Sequence, residues 1–185
     1  IIFDWGGVCC KEGEPFASQT LRERVGKSPD SICQDVMDLY LDFYRGKYTT
    51  NDFYTRIIEY YGLKQDSLLN PKEIAQAYID STVIWRDVLD VAKRLQGSHK
   101  IALLSDLTPI MKEYIHKECN VKYYFPVEMY SCDDGVNVVK TDGPKVFEML
   151  MERIGLTNLD ECLFIDNSKN KIAVATKFGM KTLWF

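Results

Sequence analysis

Four groups of residues carry the types that hydrolytic chemistry needs. Asp4 stands before Trp5-Gly6-Gly7, Ser105 before Asp106, Lys140 before Thr141-Asp142-Gly143, and Asp166 before Asn167-Ser168-Lys169-Asn170. A carboxylate can attack phosphorus and split a hydrolysis into two easier displacements. A second carboxylate can share a divalent cation with the first, since Mg2+ takes hard oxygen ligands and keeps several waters. A lysine and a hydroxyl can orient and neutralise a transferring phosphoryl group. Each group alone has a plainer reading. Asp before Gly-Gly suits a turn, Ser105 and Asp166-Asn167-Ser168 suit helix caps, and Lys140 suits a solvated loop. Only convergence on one crevice makes the set a site for a phosphoryl group with Mg2+, so the elements that hold it decide the question.

Five short apolar runs read as strands: Ile1–Asp4, Lys100–Ser105, Cys162–Asp166, Lys181–Phe185 and, as the weakest pattern, Val127–Tyr130. They lack polar alternation and are too short for independent helices, as expected of strands covered on both faces. Helical patterns lie between them over Val88–Leu95, Pro109–Cys119, Pro144–Ile154 and Asn170–Phe178. Pro144 suits a first helical position, and Gly155 and Gly179 suit C-terminal caps. This alternation predicts an α/β fold with a doubly wound parallel sheet. In such sheets, ligands bind beyond the carboxyl ends of the strands, where strand order reverses. Asp4, Ser105 and Asp166 each end a predicted strand.

From about Pro15 to Thr82, helical runs replace strand signals: Ser18–Val25, Ser31–Tyr44, Thr50–Tyr61 and Pro71–Ser81. Gly26, Gly46, Gly62, Pro29 and Pro71 punctuate them. Ile32, Val36, Leu39, Tyr40 and Phe43 recur at helical spacing and read as the buried face of one helix. The expected organisation is a core from residues 1–14 and 83–185 with an inserted α-helical cap from 15–82. Composition sets outer limits. The 185 residues are 46% hydrophobic and 27% charged with net charge −4, a globular profile in which no Lys/Arg cluster stands out, so a nucleic-acid partner is not expected. No apolar run approaches the ~18–20 residues that span a bilayer, and no secretory signal pattern opens the sequence. The six cysteines form no Cys-x-x-Cys pair, and His99 and His116 stand far from any cysteine pair. Zinc ligation is therefore not expected, and reduced thiols in the cytoplasm are.

Four segments resemble the ordered motifs of the haloacid dehalogenase superfamily, in the subgroup whose helical cap follows the first motif. They are Ile2-Phe3-Asp4-Trp5-Gly6-Gly7-Val8, Leu103-Leu104-Ser105-Asp106, Lys140-Thr141-Asp142-Gly143-Pro144-Lys145-Val146-Phe147 and Phe164-Ile165-Asp166-Asn167-Ser168-Lys169-Asn170. Arg45-Gly46-Lys47-Tyr48-Thr49-Thr50-Asn51-Asp52-Phe53 is similar to a cap segment of that subgroup. The resemblance implies a Mg2+-dependent phosphatase of a small phosphorylated metabolite, working through an aspartyl-phosphate. It casts Asp4 as nucleophile and metal ligand, Gly6 as a ligand through its carbonyl, and Asp166 as a metal ligand. Ser105 would hydrogen-bond the phosphoryl oxygens and Lys140 would balance charge on Asp4 and phosphate. Asn167 would orient a metal-bound water, and Asn170 would support the loop.

Two departures from the family pattern matter. Family phosphatases carry an aspartate two residues after the nucleophile as general acid and base. This chain has Gly6 there, and losing such a group removes ~10²–10⁴-fold in rate. Gly6→Asp is then expected to favour esters with poor leaving groups. The lysine motif is irregular too, with Thr141 after Lys140 and a long loop from Gly135, which makes Lys145 the competing site lysine. Two alternative functions follow. One is a catalytically weak or inactive binding or regulatory module, motivated by Gly6. The other is a 2-haloacid dehalogenase, which Asp166 argues against because those relatives generally lack an acid there. Lys11 and Glu12 are further candidates to line the crevice. Two facing carboxylates without metal should repel, so Asp4→Asn is expected to stabilise the metal-free protein slightly.

Overall fold

The computed structural model describes residues 1–185 and opens on a strand of two residues. β1 (Ile2–Phe3) sends Ile2 into one apolar cluster with Ala102, Leu104 and Phe164, and Phe3 into another with Leu103 and Ile165. This is the period-two alternation of a strand covered on both faces. A tight loop leads to β2 (Cys10–Lys11), and five helices follow: α1 (Gln19–Val25), α2 (Pro29–Asp35), α3 (Met37–Tyr44), α4 (Thr50–Tyr60) and α5 (Pro71–Asp80). β3 (Val83–Ile84) closes that excursion by pairing antiparallel with β2, Cys10 opposite Ile84 and Lys11 opposite Val83. Then come α6 (Arg86–Leu95), β4 (Ala102–Ser105), α7 (Pro109–Cys119), α8 (Val121–Tyr124), β5 (Val127–Tyr130), α9 (Lys145–Ile154), β6 (Leu163–Asp166), α10 (Lys169–Phe178) and β7 (Lys181–Trp184).

Five of the strands form one parallel sheet in the order β5-β4-β1-β6-β7. The chain winds outward from β1 through β4 to β5, then returns to the other side of β1 for β6 and β7. Strand order therefore reverses at β1, and the carboxyl ends of β4, β1 and β6 flank the switch point. This is the expected doubly wound α/β architecture, with helices inserted after the first strand. Helix α9 shows how a flanking helix is held. Val146, Phe147, Leu150 and Met151 put one stripe on the sheet, and Gly155, at φ 67°, ends the helix in the left-handed region.

The inserted helices have a core of their own. Thirteen buried side chains, among them Phe16, Ile32, Phe43, Phe53, Tyr54 and Ile57, form a cluster separate from those on the sheet. Phe43 and Phe53 stack with centroids 4.2 Å apart, and the Tyr54 hydroxyl donates to the Pro15 carbonyl at 2.9 Å. Fully burying a large apolar side chain contributes about 1.5–3 kcal/mol, so this cluster is what sustains helices too short to persist alone.

Two features differ from the sequence expectation. Ser31–Tyr44 is not one helix: α2 ends at Asp35, and Val36, at φ −117° and ψ 25°, joins it to α3. Val36 is buried with Ile32, Tyr40 and Phe43, so the apolar stripe exists. Periodicity reports which face is buried, not a one-residue bend along it. The β2–β3 ribbon was also unforeseen, because two-residue strands are too short to show a pattern. No helix is long and apolar enough to cross a membrane.

Candidate active site

Asp4 is the first residue beyond β1, and its amide still donates to the Ile165 carbonyl at 2.9 Å, which pins its backbone to β6. The loop that follows folds back on itself: the Trp5 carbonyl accepts from the amides of Val8, Cys9 and Cys10 at 3.2, 2.7 and 3.3 Å. Gly7 has φ 73°, and a Cβ there would lie 2.0 Å from Asn167 Nδ2. Only glycine fits, and its bareness lets the loop after β1 pack directly on the loop after β6. The Asp4 carboxylate is thereby aimed and clamped. Its Oδ1 accepts from Trp5 N at 2.8 Å and from Ser105 Oγ at 2.6 Å, and lies 2.7 Å from Lys140 Nζ. Its Oδ2 has only Lys171 Nζ near it, at 3.6 Å.

Lys140 lies on a short 3-10 turn, Lys140–Asp142, ahead of α9. Asp142 closes that turn by accepting from Val139 N at 3.1 Å, and is itself held by Arg45 of the inserted helices at 2.8 Å. The Lys140 amide donates to Asp106 Oδ1 at 3.0 Å. Its ammonium group, 0% exposed, spends its three protons on Asp4 Oδ1, Asp166 Oδ2 at 2.7 Å and the Leu104 carbonyl at 3.3 Å. Lys145 is exposed at the start of α9, so Lys140 is the lysine that meets the carboxylates. Asp166 ends β6, with Oδ1 accepting from Ser168 N at 2.8 Å. Neither Ser105 nor Ser168 caps a helix through its side chain; the Ser105 hydroxyl goes to Asp4 instead.

Burial pushes the Asp4 carboxyl upward, but the charges of Lys140 and Lys171 and the hydrogen bonds from Lys140 and Ser105 overcome it and hold it well below the usual carboxylate range. For Asp166, burial dominates and the charge of Asp4 adds to it. Its carboxyl is raised despite Lys140. Burial works against the Lys171 ammonium, yet Asp4, Asp106 and Asp166 outweigh it and raise its pKa. The Glu12 carboxyl is raised by burial and by Asp4, against the hydrogen bond from Tyr44.

Asp4, Ser105, Lys140 and Asp166, singled out in the sequence, therefore converge at the carboxyl ends of three adjacent strands. Gly6 shares the Asp4 loop, and its carbonyl accepts no hydrogen bond from the protein. Asn167 packs against Gly7, and its carbonyl accepts from Trp184 Nε1 at 2.9 Å, while Asn170 is exposed. Three further participants had no role assigned from the sequence. Lys171 lies 3.3 Å from Asp106 Oδ2, so both join the network; Asp106 stands in the motif with Ser105, whereas no motif marks Lys171. Glu12 stands over Gly6: a Cβ on that glycine would lie 2.8 Å from Glu12 Oε2. The space expected to be vacant beside Gly6 is therefore taken, and Gly6→Asp would first have to displace Glu12. Lys140 stands between Asp4 and Asp166 and pairs with both, although the charge of Asp4 still raises Asp166. Asp4→Asn would therefore remove that repulsion and, at the same time, a charge that pairs with the buried ammonium.

A family model described as haloacid dehalogenase-like hydrolase matches residues 1–179. No curated protein matches the chain. Among solved structures, a haloacid dehalogenase (HAD) family enzyme from Bacteroides thetaiotaomicron superposes with TM-score 0.83 at 23% identity, over 98% of this chain and 90% of that one. The same enzyme in complex with magnesium and inorganic phosphate gives 0.77 at 22%, over 98% and 91%. A predicted HAD-like family hydrolase from Porphyromonas gingivalis gives 0.71 at 20%, over 98% and 88%. A HAD phosphatase from Thermococcus onnurineus gives 0.64 at 20%, over 100% and 84%. At these identities the structural likeness is one of fold. The family model, in contrast, spans every strand end that carries the carboxylate–lysine network, and this chain belongs to the haloacid dehalogenase-like hydrolases.

Proposed function

We propose that this hydrolase is a Mg2+-dependent phosphatase of a small phosphorylated metabolite, with residues 15–82 as a helical cap over a core of residues 1–14 and 83–185. The observation that carries the reading is the asymmetry of the Asp4 carboxylate. Three donors fix Oδ1, whereas Oδ2 has a single cation at 3.6 Å. A held carboxylate with one uncommitted oxygen suits in-line attack on phosphorus. The donor set also fits Mg2+: the Asp4 carboxylate, Asp166 Oδ1 and the unpartnered Gly6 carbonyl supply hard oxygens at neighbouring strand ends. When bound, Mg2+ would offset the excess of the carboxylates of Asp4, Asp106 and Asp166 over the two ammonium groups and neutralise phosphoryl oxygens.

In the first step Asp4 Oδ2 attacks phosphorus, the ester P–O bond breaks, and an aspartyl-phosphate forms. In the second, water attacks that phosphorus, the P–O bond to Asp4 breaks, and phosphate leaves. Lys171 would orient the phosphoryl oxygens while Ser105 and Lys140 keep Asp4 Oδ1 in place. The Bacteroides enzyme's complex with magnesium and phosphate, and the Thermococcus phosphatase, support this chemistry by likeness. The six free thiols, four of them buried, support a reducing, cytoplasmic setting. The test is a panel of phosphate esters given to the parental protein and to Asp4→Asn, with and without Mg2+. Metal-dependent phosphate release that disappears in Asp4→Asn is expected. Metal-independent halide release from 2-haloacids would move the chemistry to carbon, and silence on the whole panel would leave a binding module.

A further inference from the structure

The displacement on Asp4 leaves one requirement unmet. An alkoxide is a poor leaving group, so hydrolysis of an alkyl phosphate needs a proton donor at the ester oxygen, and the later attack by water needs an acceptor. Within the network around Asp4, Lys171 is an ammonium paired with Asp4 and Asp106 and can take no proton from water, and the other groups are engaged. Lys140 has its three protons committed, and Ser105 donates its proton to Asp4. Asp106 is held through both oxygens, by Lys140 N and Lys171, and Asp166 through both oxygens, by Ser168 N and Lys140. Glu12 differs from all of these. Its Oε1 accepts from the Tyr44 hydroxyl at 3.0 Å, while Oε2 has no partner and stands 2.8 Å from the point where a side chain on Gly6 would begin. Gly6 is two residues from Asp4 in the same loop, so Glu12 Oε2 stands beside the loop that carries the nucleophile. Glu12 is also reached by solvent, so it can exchange protons with water between steps.

We propose that Glu12, following β2 and steadied by Tyr44 of α3, is the general acid and base of the hydrolysis, acting from the space left by Gly6. In the first step the Glu12 carboxyl gives its proton to the leaving oxygen as the P–O bond breaks. In the second, the Glu12 carboxylate takes a proton from water as the water oxygen bonds to phosphorus and the bond to Asp4 breaks. Tyr44 belongs to the inserted helices, so the seating of those helices aligns the proton carrier. The assignment rests on the phosphatase reading above.

The test compares Glu12→Gln, which keeps an acceptor for Tyr44, with the parental protein and Asp4→Asn. Each is given p-nitrophenyl phosphate and a simple alkyl phosphate, with Mg2+ and with melting temperature as a folding control. Glu12→Gln is expected to release a burst of about one nitrophenolate per active site and then turn over slowly, because attack on Asp4 survives and water activation does not. On the alkyl ester it is expected to lose ~10²–10⁴-fold, burst included. Gly6→Asp combined with Glu12→Ala is expected to recover part of the alkyl turnover, since the new carboxylate enters the vacated space. Folded Glu12→Gln that slows both esters equally without a burst, or slows neither, overturns the assignment. Absence of Mg2+-dependent turnover in the parental protein, or its persistence in Asp4→Asn, removes the phosphatase reading itself and Glu12's role with it.

Discussion

At the amino end of the sheet, residues including Ile1, Ser98, Lys100, Val127, Arg153 and Leu156 line a cavity of about 710 Å³. Its two cationic side chains are each engaged with a backbone carbonyl: Lys100 Nζ donates to the Ile154 carbonyl at 3.3 Å and Arg153 to the Glu128 carbonyl at 2.7 Å. At the carboxyl end, charges meet one another instead. Asp4 and Asp166 share one ammonium group that no solvent reaches, and Asp4 and Asp106 share a second. Room and chemistry are thus separated in this molecule. At the amino end the cationic side chains are satisfied independently, whereas the reactive arrangement is a closely packed set of groups whose proton affinities are pushed apart.

The contrast is most exposed to Asp4→Asn. Turnover of aryl phosphates is expected to fall by at least ~10³-fold, measured as phosphate release by the folded protein. The same change should cost about 1–3 kcal/mol of stability, because Lys140 keeps an oxygen acceptor at position 4 but loses the charge that pairs with it. A variant as active as the parent sends the hydrolysis elsewhere.

Lys140→Met comes next. With Asp4 and Asp166 left without their shared cation, unfolding in urea should show a loss of about 3–5 kcal/mol. Lys100→Met at the opposite end should change stability by less than about 0.5 kcal/mol. Equal losses at the two ends would erase the difference between them.

Ser105→Ala removes a buried hydrogen bond to an ionised group and should cost about 1.5–3 kcal/mol, read from the urea midpoint. An unchanged midpoint would mean that the Ser105 hydroxyl does not steady Asp4.

The smallest effect is in the pH dependence of stability. Asp166 is raised in the fold, so its charged form opposes folding and that penalty is relieved as pH falls through its folded pKa. Asp4 is lowered, so the stability it contributes is present above its unfolded value, about 3.9, and is lost only in stronger acid. The parental protein should therefore show a shallow stability maximum on the acid side of neutrality. Asp4→Asn, which takes away the charge that helps raise Asp166, should flatten it. A maximum of the same height in both proteins would uncouple the two carboxylates.

The central strands were legible because they are buried on both faces and so read as unbroken apolar runs; the edge strand β7 is apolar too, although Leu183 and Trp184 are exposed. Even the weakest pattern, Val127–Tyr130, is the edge strand β5. Asp4, Ser105 and Asp166 could be placed because each ends such a run. Lys140 could not be told from Lys145, since both follow the same loop and only tertiary packing shows that one is buried and the other exposed. Lys171 carries no local signature, and Asp106, although in the motif with Ser105, had no role there because its partners Lys140 and Lys171 lie on other segments. Glu12 was noticed as a neighbour of the crevice, but its position over Gly6 depends on the course of the chain through β2, a two-residue element without a pattern.

The sealed ammonium of Lys140 also gives the molecule a chemical timer. Amines react with acylating reagents only when water can reach them, and its contacts are Asp4, Leu104 and Asp166, at the ends of three different strands. A reagent reaches this nitrogen only after those strand ends part, whereas exposed lysines such as Lys145 label at once. The acylation rate at position 140 would therefore track the cooperative opening of the sheet's centre rather than the breathing of any single loop.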